Sequence, residues 1–384
     1  MASSRLSVLV FACALVATLA SGAPQARAAG TAAELKLPAG FVAERIASVP
    51  AARELAVAPN GDLFVGTSGD GIYVVPDAEK NAGEPRRFAT IDDRPVAGIV
   101  LVGETLYAAG QRGIYRIPYR TGDREARAMP QKIAGVRPGG GGGHSTTSLA
   151  FSKGTLYASV GSSCNACDES DPTRATVQAM TPDGKNMRPR AVDIRNAIAL
   201  AVQPETGEVW AGVAGRDDLP RGHPYEIFDA ITAHPGTPDY GWLKCYDDRK
   251  PIGGASCANV TLPKIVFPAY DTPIGAAFYP ADHKGAYAFP ASYRGGVFVT
   301  LHGSWHLPPE PPRVAFVAFT NNEPAKHVDW ANPDAQWSEF VGGCQGAFGA
   351  RPCRPTGVAV GNDGSLFVAD DGAGAIYRIR PVRR

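Results

Sequence analysis

Gly357-Val358-Ala359-Val360-Gly361-Asn362-Asp363-Gly364-Ser365-Leu366-Phe367-Val368-Ala369 reads as two short strands joined by a tight turn. Apolar residues fill both arms, and Asn362-Asp363-Gly364 carries the turn chemistry of an antiparallel hairpin. The same phrase occurs upstream at residues 54–67, 98–109, 149–160 and 198–212, and in stretched form at 276–301. Several copies are followed by a third strand, as in Gly71-Ile72-Tyr73-Val74-Val75 and Ala375-Ile376-Tyr377-Arg378-Ile379. The early copies lie about 45–50 residues apart, which is the period of a propeller blade. Later the spacing widens, where Pro- and Gly-rich insertions carry paired cysteines. The pattern predicts an all-β, six-bladed β-propeller with four-stranded antiparallel blades and long loop insertions in the later blades. A β-sandwich would not repeat one phrase so regularly, and a parallel β-helix has a much shorter period. In such a ring the loops at one end of the central channel converge on a ligand. Function is therefore sought where strand ends meet polar, glycine-rich loops.

The chain of 384 residues opens with Arg5, an apolar run from Leu6 to Leu19, and Ala26-Arg27-Ala28. This is the order of a cleaved signal peptide, taken as residues 1–28, and the run is short for a membrane span. A single propeller domain over 29–384 is expected to follow, periplasmic or secreted, without a span once the signal is removed, as a monomer or homodimer. A net charge of +1, with both signs interspersed, argues against nucleic acid or an anionic membrane as the main partner. With Cys13 lost in the signal, six cysteines remain, in three local pairs: Cys164 with Cys167, Cys245 with Cys257, and Cys344 with Cys353. An oxidising compartment favours three short-loop disulfides, although six cysteines allow fifteen pairings. The Cys164–Cys167 spacing also serves redox or zinc chemistry, but neither a second such pair nor a histidine at zinc-finger spacing accompanies it.

Candidate chemistry sits in the loops that enter the blades. Gly139 to Gly143 run into His144-Ser145-Thr146-Thr147. Backbone without side chains can approach a ligand closely, and a histidine titrates near neutrality, so His144 suits a general base. Alone, such a run is also what a flexible loop looks like. Asp193-Ile194-Arg195-Asn196 precedes the fourth inner strand. Arg195 suits a carboxylate ligand, or a structural pairing with Asp193 or with a carboxylate of another blade. Ala214-Gly215-Arg216-Asp217-Asp218, with Glu226 beyond it, offers oxygens to a hard cation. His302-Gly303-Ser304-Trp305-His306 and Cys353-Arg354-Pro355-Thr356-Gly357 are further candidates.

The order of these motifs resembles the soluble glucose/sorbosone dehydrogenase family, six-bladed propellers that use pyrroloquinoline quinone (PQQ) and calcium. The likeness runs through Gly143-His144-Ser145-Thr146, the segment Val160 to Cys167, Asp171-Pro172-Thr173-Arg174, Ile194-Arg195-Asn196, Gly215-Arg216-Asp217-Asp218, Asp239-Tyr240-Gly241-Trp242, Leu301 to Trp305 and Arg354-Pro355-Thr356-Gly357. It implies an enzyme that oxidises an aldose or sorbosone-type sugar and passes electrons to an external acceptor. By the same likeness His144 takes the proton of the anomeric hydroxyl while hydride goes to the quinone, and calcium polarises the quinone carbonyl. Arg195, Asn196, Arg354 and His302 are the implied cofactor contacts, and the backbone carbonyls of Gly215 and Arg216 the implied calcium ligands.

The chain also departs from that family. Gly143 stands where some relatives have Asp, Thr147-Ser148 where many have Arg-Asn, Ala214 for an Asn, Ala199 for a Gly, and His302 for a Lys. Two other readings stand beside the resemblance, the second of them motivated by these changes. One is a calcium-dependent propeller lactonase or hydrolase, which needs carboxylates at the inner ends of several blades, with Asp217, Asp218 and Asp370-Asp371 available. The other is a non-catalytic propeller that binds a glycan or a protein.

Overall fold

A computed structural model describes residues 35–137, 143–306, 308–345 and 350–383. The signal segment, Cys13 and Gly139 to Gly142 lie outside them. Alternating short strands with glycine turns cannot bury both faces alone, so they stack as blades. Six four-stranded antiparallel sheets form the ring, and the only helical element named among the described residues is the single 3-10 turn Ala291–Tyr293. The inner strands are Ala52–Val57, Gly98–Val102, Leu149–Ser152, Ala197–Val202, Pro273–Phe278 and Pro355–Val360. Each touches the next, and the sixth touches the first, so they wall a central channel. The six phrases of the sequence are the first two strands of blades 1 to 6, as expected.

Small residues near the inner strands have a steric reason. A Cβ on Gly98 would lie 2.1 Å from the Thr147 carbonyl oxygen, and one on Gly357 2.0 Å from that of Arg53. Backbones of neighbouring blades press together at these points, closer than any side chain allows.

The ring closes by a pairing the repeat does not reveal. Phe41–Ser48, ahead of the first phrase, pairs antiparallel with Ala375–Pro381 and forms the outer strand of blade 6. Phe41 anchors it, with its ring 4.7 Å from Phe289 and 5.1 Å from Phe340. Joining the two chain regions in one sheet holds the ring shut.

The three expected disulfides are formed: Cys164–Cys167, Cys245–Cys257 and Cys344–Cys353. The second lies in the long connection between Glu226–Asp229 and Ile265–Phe267 of blade 4. That connection folds back beside blade 3, where Tyr240 N–H donates to the Val192 carbonyl and Trp242 N–H to that of Asp193.

Candidate active site

In an antiparallel blade, the start of the inner strand and the end of the second strand lie at the same end. Loops entering first strands and leaving second strands therefore share one face of the ring. Every candidate from the sequence belongs to this set. His144, Arg195-Asn196 and Arg354 precede inner strands of blades 3, 4 and 6. Ser162, Gly215-Arg216, His302 and Asp371 follow second strands of blades 3, 4, 5 and 6.

His144 is held from two sides. Its N–H donates to the Ser162 carbonyl at 3.0 Å, and its ring packs on Gly161, where a Cβ would lie 2.5 Å from the His144 Cβ and 2.6 Å from Asn196 Oδ1. Imidazole Nδ1 lies 2.9 Å from Ser162 Oγ and 3.2 Å from the Ser162 carbonyl oxygen. Ser162 Oγ donates its own proton to the Cys164 carbonyl at 2.6 Å, so toward His144 it accepts. That places the ring proton on Nδ1 and leaves Nε2 with a free lone pair. Burial, reinforced by the charges of Arg195 and Arg174, lowers the His144 pKa to about 4. The imidazole is neutral at pH 7, the form that accepts a proton. Replacing Ser162 by Ala removes one of the two acceptors on Nδ1 and leaves the backbone carbonyl as the other, and kcat is expected to fall by about two- to fivefold, part of the worth of one buried hydrogen bond. Steady-state rates across pH check this, since a purely structural loss would leave the shape of the profile alone.

Arg195 is buried among acceptors. Nε donates to the Asn165 carbonyl at 3.2 Å, Nη1 to that of Ala214 at 3.1 Å, and Nη2 to Asn165 Oδ1 at 2.8 Å and Asp217 Oδ2 at 3.1 Å. Four of its five N–H groups are engaged, which leaves one for a ligand. Its carboxylate partner is Asp217, whereas Asp193 pairs with Lys244 at 2.9 Å. Asn165, inside the Cys164–Cys167 loop, also accepts from Trp242 Nε1 at 3.0 Å and from Asp217 N–H at 2.9 Å. The short disulfide loop thus presents one residue that ties three loops together. Gly215 N–H donates to Glu226 Oε2 at 2.6 Å, and Arg216 is engaged by Asp218. Burial pushes the Glu226 carboxyl up to about 8. Among the described residues no group of three or more His, Cys, Asp and Glu side chains converges to hold a metal ion.

A second cluster centres on Asp371. Arg354 Nε donates to Oδ1 at 2.5 Å, Arg53 Nη1 lies 3.5 Å from Oδ2, and His302 Nε2 lies 3.3 Å from both oxygens. Burial works to raise the Asp371 pKa, but hydrogen bonds from His302 and Arg354 hold it below the usual carboxylate value. Two guanidiniums on one carboxylate leave an excess of positive charge. Nη1 and Nη2 of Arg354 have no partner among the described residues, and its side chain is 36 % exposed. One loop joins the two clusters: His302 reaches Asp371, while His306 Nε2 lies 3.7 Å from Asp217 Oδ1.

Sequence reasoning missed Arg53 and the bridging role of Asp371. A signal for Arg53 exists, because an arginine stands at or just before the inner strand of blades 1, 4 and 6: Arg53, Arg195 and Arg354. Ser162 and Asn165 lie in a quoted motif, but their partners are set by the folded loop.

A planar cofactor with three carboxylates fits this end of the ring. Arg354 offers free donors beside a net positive cluster, and Gly161 provides the cradle that lets His144 and Asn196 close together. The fold and site define a six-bladed propeller with a neutral, tautomer-fixed histidine and an arginine cluster at one end of its channel.

Comparison with known proteins agrees with that class. The TrAA12-like family model matches residues 35–238 and 240–382, and the chain belongs to this family. An uncharacterized protein of Borreliella burgdorferi is 26 % identical over 193 residues, 49 % of this chain and 48 % of its own, so the chain spans about half the length of that curated relative. Among solved structures, the holo pyranose dehydrogenase PQQ domain of Coprinopsis cinerea is similar with a TM-score of 0.77 at 18 % identity, covering 90 % of this chain and 97 % of that one. The calcium structure of the Trichoderma reesei family AA12 protein gives 0.75 at 18 % identity, covering 92 % and 98 %. The PQQ-bound aldose sugar dehydrogenase of Streptomyces coelicolor gives 0.60 at 17 % identity, covering 90 % and 99 %. At these identities the structural likeness speaks to the fold.

Proposed function

We propose that the protein is a PQQ-dependent oxidoreductase of aldose or sorbosone-type sugars, with His144 as the base. The observation that carries this reading is His144 itself, neutral and with Nε2 left free by the Ser162 contacts, next to an arginine-rich site in a TrAA12-like chain. PQQ, when bound, would supply an electrophilic quinone as the two-electron acceptor for the hydride of the sugar. His144 Nε2 removes the proton of the hydroxyl on the carbon being oxidised. Arg354 and Arg53 would hold carboxylates of the cofactor, His302 keeps Asp371 between them, and Arg195 orders the Asn165 and Asp217 loops with one donor to spare. Asn196 packs the floor under His144. The carbonyls of Gly215 and Arg216 are the proposed calcium ligands, on a loop that Glu226 holds by the Gly215 N–H. The calcium and PQQ-bound structures of similar propellers support both ligands for this chain. Three disulfides and the signal-like residues 1–28 support a periplasmic or secreted location, with an external electron acceptor.

The direct test is titration of the purified chain with PQQ and calcium, followed by dye reduction over an aldose panel. A stoichiometric quinone spectrum bleached by sugar is the expected result. No quinone binding, or lactone hydrolysis by metal-loaded, quinone-free protein, would overturn the reading. Arg354→Ala is expected to weaken PQQ binding about 10- to 100-fold, the worth of a charge-assisted hydrogen bond. The same absorbance titration measures it.

A further inference from the structure

We propose that the Cys164–Cys167 disulfide is a thiol–disulfide exchange site, and that its reduction by a dithiol loosens the loops of the candidate active site. The consequence for the cofactor rests on the oxidoreductase reading above, while the exchange itself does not. The Cys-x-x-Cys spacing, which suits redox chemistry, is closed here into a bond that no step of the sugar oxidation uses. Cys164 and Cys167 are partly exposed, whereas Cys245, Cys257, Cys344 and Cys353 are all buried. Exchange requires a thiolate to reach a sulfur, so a reductant meets this bond before the other two.

What the bond fixes is the turn that carries Asn165. The Asn165 carbonyl accepts from Arg195 Nε at 3.2 Å and Trp242 Nε1 at 3.0 Å. Its Oδ1 accepts from Arg195 Nη2 at 2.8 Å and Asp217 N–H at 2.9 Å. The Cys164 carbonyl accepts from Ser162 Oγ at 2.6 Å, the hydroxyl that faces His144 Nδ1. Two carbonyls and one amide inside the disulfide ring thus anchor Ser162 under His144, the Arg195 guanidinium and the loop after Arg216. Once the bond opens, the backbone of Asn165 and Ala166 regains conformations that the closed ring forbids, and each hydrogen bond must order it unaided. In the exchange, one thiolate of the dithiol attacks a sulfur of the pair and forms a mixed disulfide, which its second thiol resolves. Cys164 and Cys167 gain two electrons and two protons and become thiols, and the dithiol becomes a disulfide.

The test begins with the full chain free of cofactor, treated with dithiothreitol without denaturant. Alkylation and peptide mass mapping are expected to find new thiols at Cys164 and Cys167, with the other two disulfides intact. Hydrogen exchange, read by NMR, is expected to quicken about tenfold at the Asp217 amide and the Trp242 indole N–H, and to slow again on reoxidation. A Cys164→Ser, Cys167→Ser double variant, which brings no thiol to the quinone, is expected to exchange like the reduced chain, to ignore dithiothreitol and to bind PQQ with calcium about tenfold more weakly. Should that variant fail to fold, the thiol map and the exchange rates of the reduced natural chain decide. Opening of a buried disulfide first overturns the proposal, as do thiols at Cys164 and Cys167 without faster exchange. Faster exchange in a chain that never binds quinone counts against the oxidoreductase reading alone. Quinone binding of equal strength in the natural chain and the double variant counts against the disulfide's role alone.

Discussion

His144→Ala lowers kcat for sugar oxidation by about 10²- to 10⁴-fold, the range for loss of a positioned general base. PQQ binding, read by absorbance, persists, because the arginine cluster on Asp371 is built from other blades. The wild-type pH profile carries a second signature. With its pKa lowered to about 4 by burial and by Arg195 and Arg174, His144 stays unprotonated through the neutral range. Activity limited by this base is therefore flat from neutrality down to about pH 5 and falls as pH approaches 4. The same depressed pKa bears on stability. Between the ordinary value near 6.5 and about 4, the unfolded chain binds the extra proton, so this residue's stabilisation is full above 6.5 and declines as pH drops. Turnover that survives in His144→Ala, or a loss of rate already centred near pH 6.5, would assign the base elsewhere.

Asp271→Ala destabilises the fold by about 3–5 kcal/mol, the cost of stranding a buried charge. Arg313 Nη2 sits 2.6 Å from both Asp271 oxygens, and Asp271 is wholly buried. Its guanidinium also lies 4.8 Å over the Trp337 ring, and Glu310 at 4.0 Å is a weaker second counter-charge. Burial drives the Asp271 carboxyl up to about 7, with Arg313 pulling the other way. The segment matters to the site as well. Gly303 N–H donates to the Asp271 carbonyl and His302 N–H to that of Thr272, so the loop that bridges the two clusters hangs on this turn. Urea unfolding measures the effect. Asp271→Asn, which keeps the shape and can still accept a hydrogen bond, is expected to lose less. A loss under about 1 kcal/mol for the alanine variant would mean that Glu310 takes over Arg313.

Much of the site was legible because it is local. His144 at the end of a glycine run, Arg195 before an inner strand and the cysteine pairs are all read within a dozen residues. The alternatives for Arg195 could not be decided at that level, since Asp193 and Asp217 are equally plausible in charge. The folded loop chose Asp217, and Asn165 accepts from two more of the Arg195 donors, so this side chain also organises the loops around it. The orphaned glycine of Gly161 likewise has no meaning until His144 and Asn196 crowd it.

From the sequence by itself come the hairpin phrase, its period and count, the cysteine pairing and the residues at the blade entrances. These follow from side-chain alternation and turn chemistry, which act over a few neighbours. Tertiary structure alone decided that Phe41–Ser48 completes blade 6, that Arg53 joins Arg354 on Asp371, and that Ser162 fixes the His144 proton. Each of the first two joins residues some 300 positions apart, and the third depends on how two loops of one blade lie on each other. Such contacts are set by closure of the ring, which brings strand ends together whatever their distance along the chain.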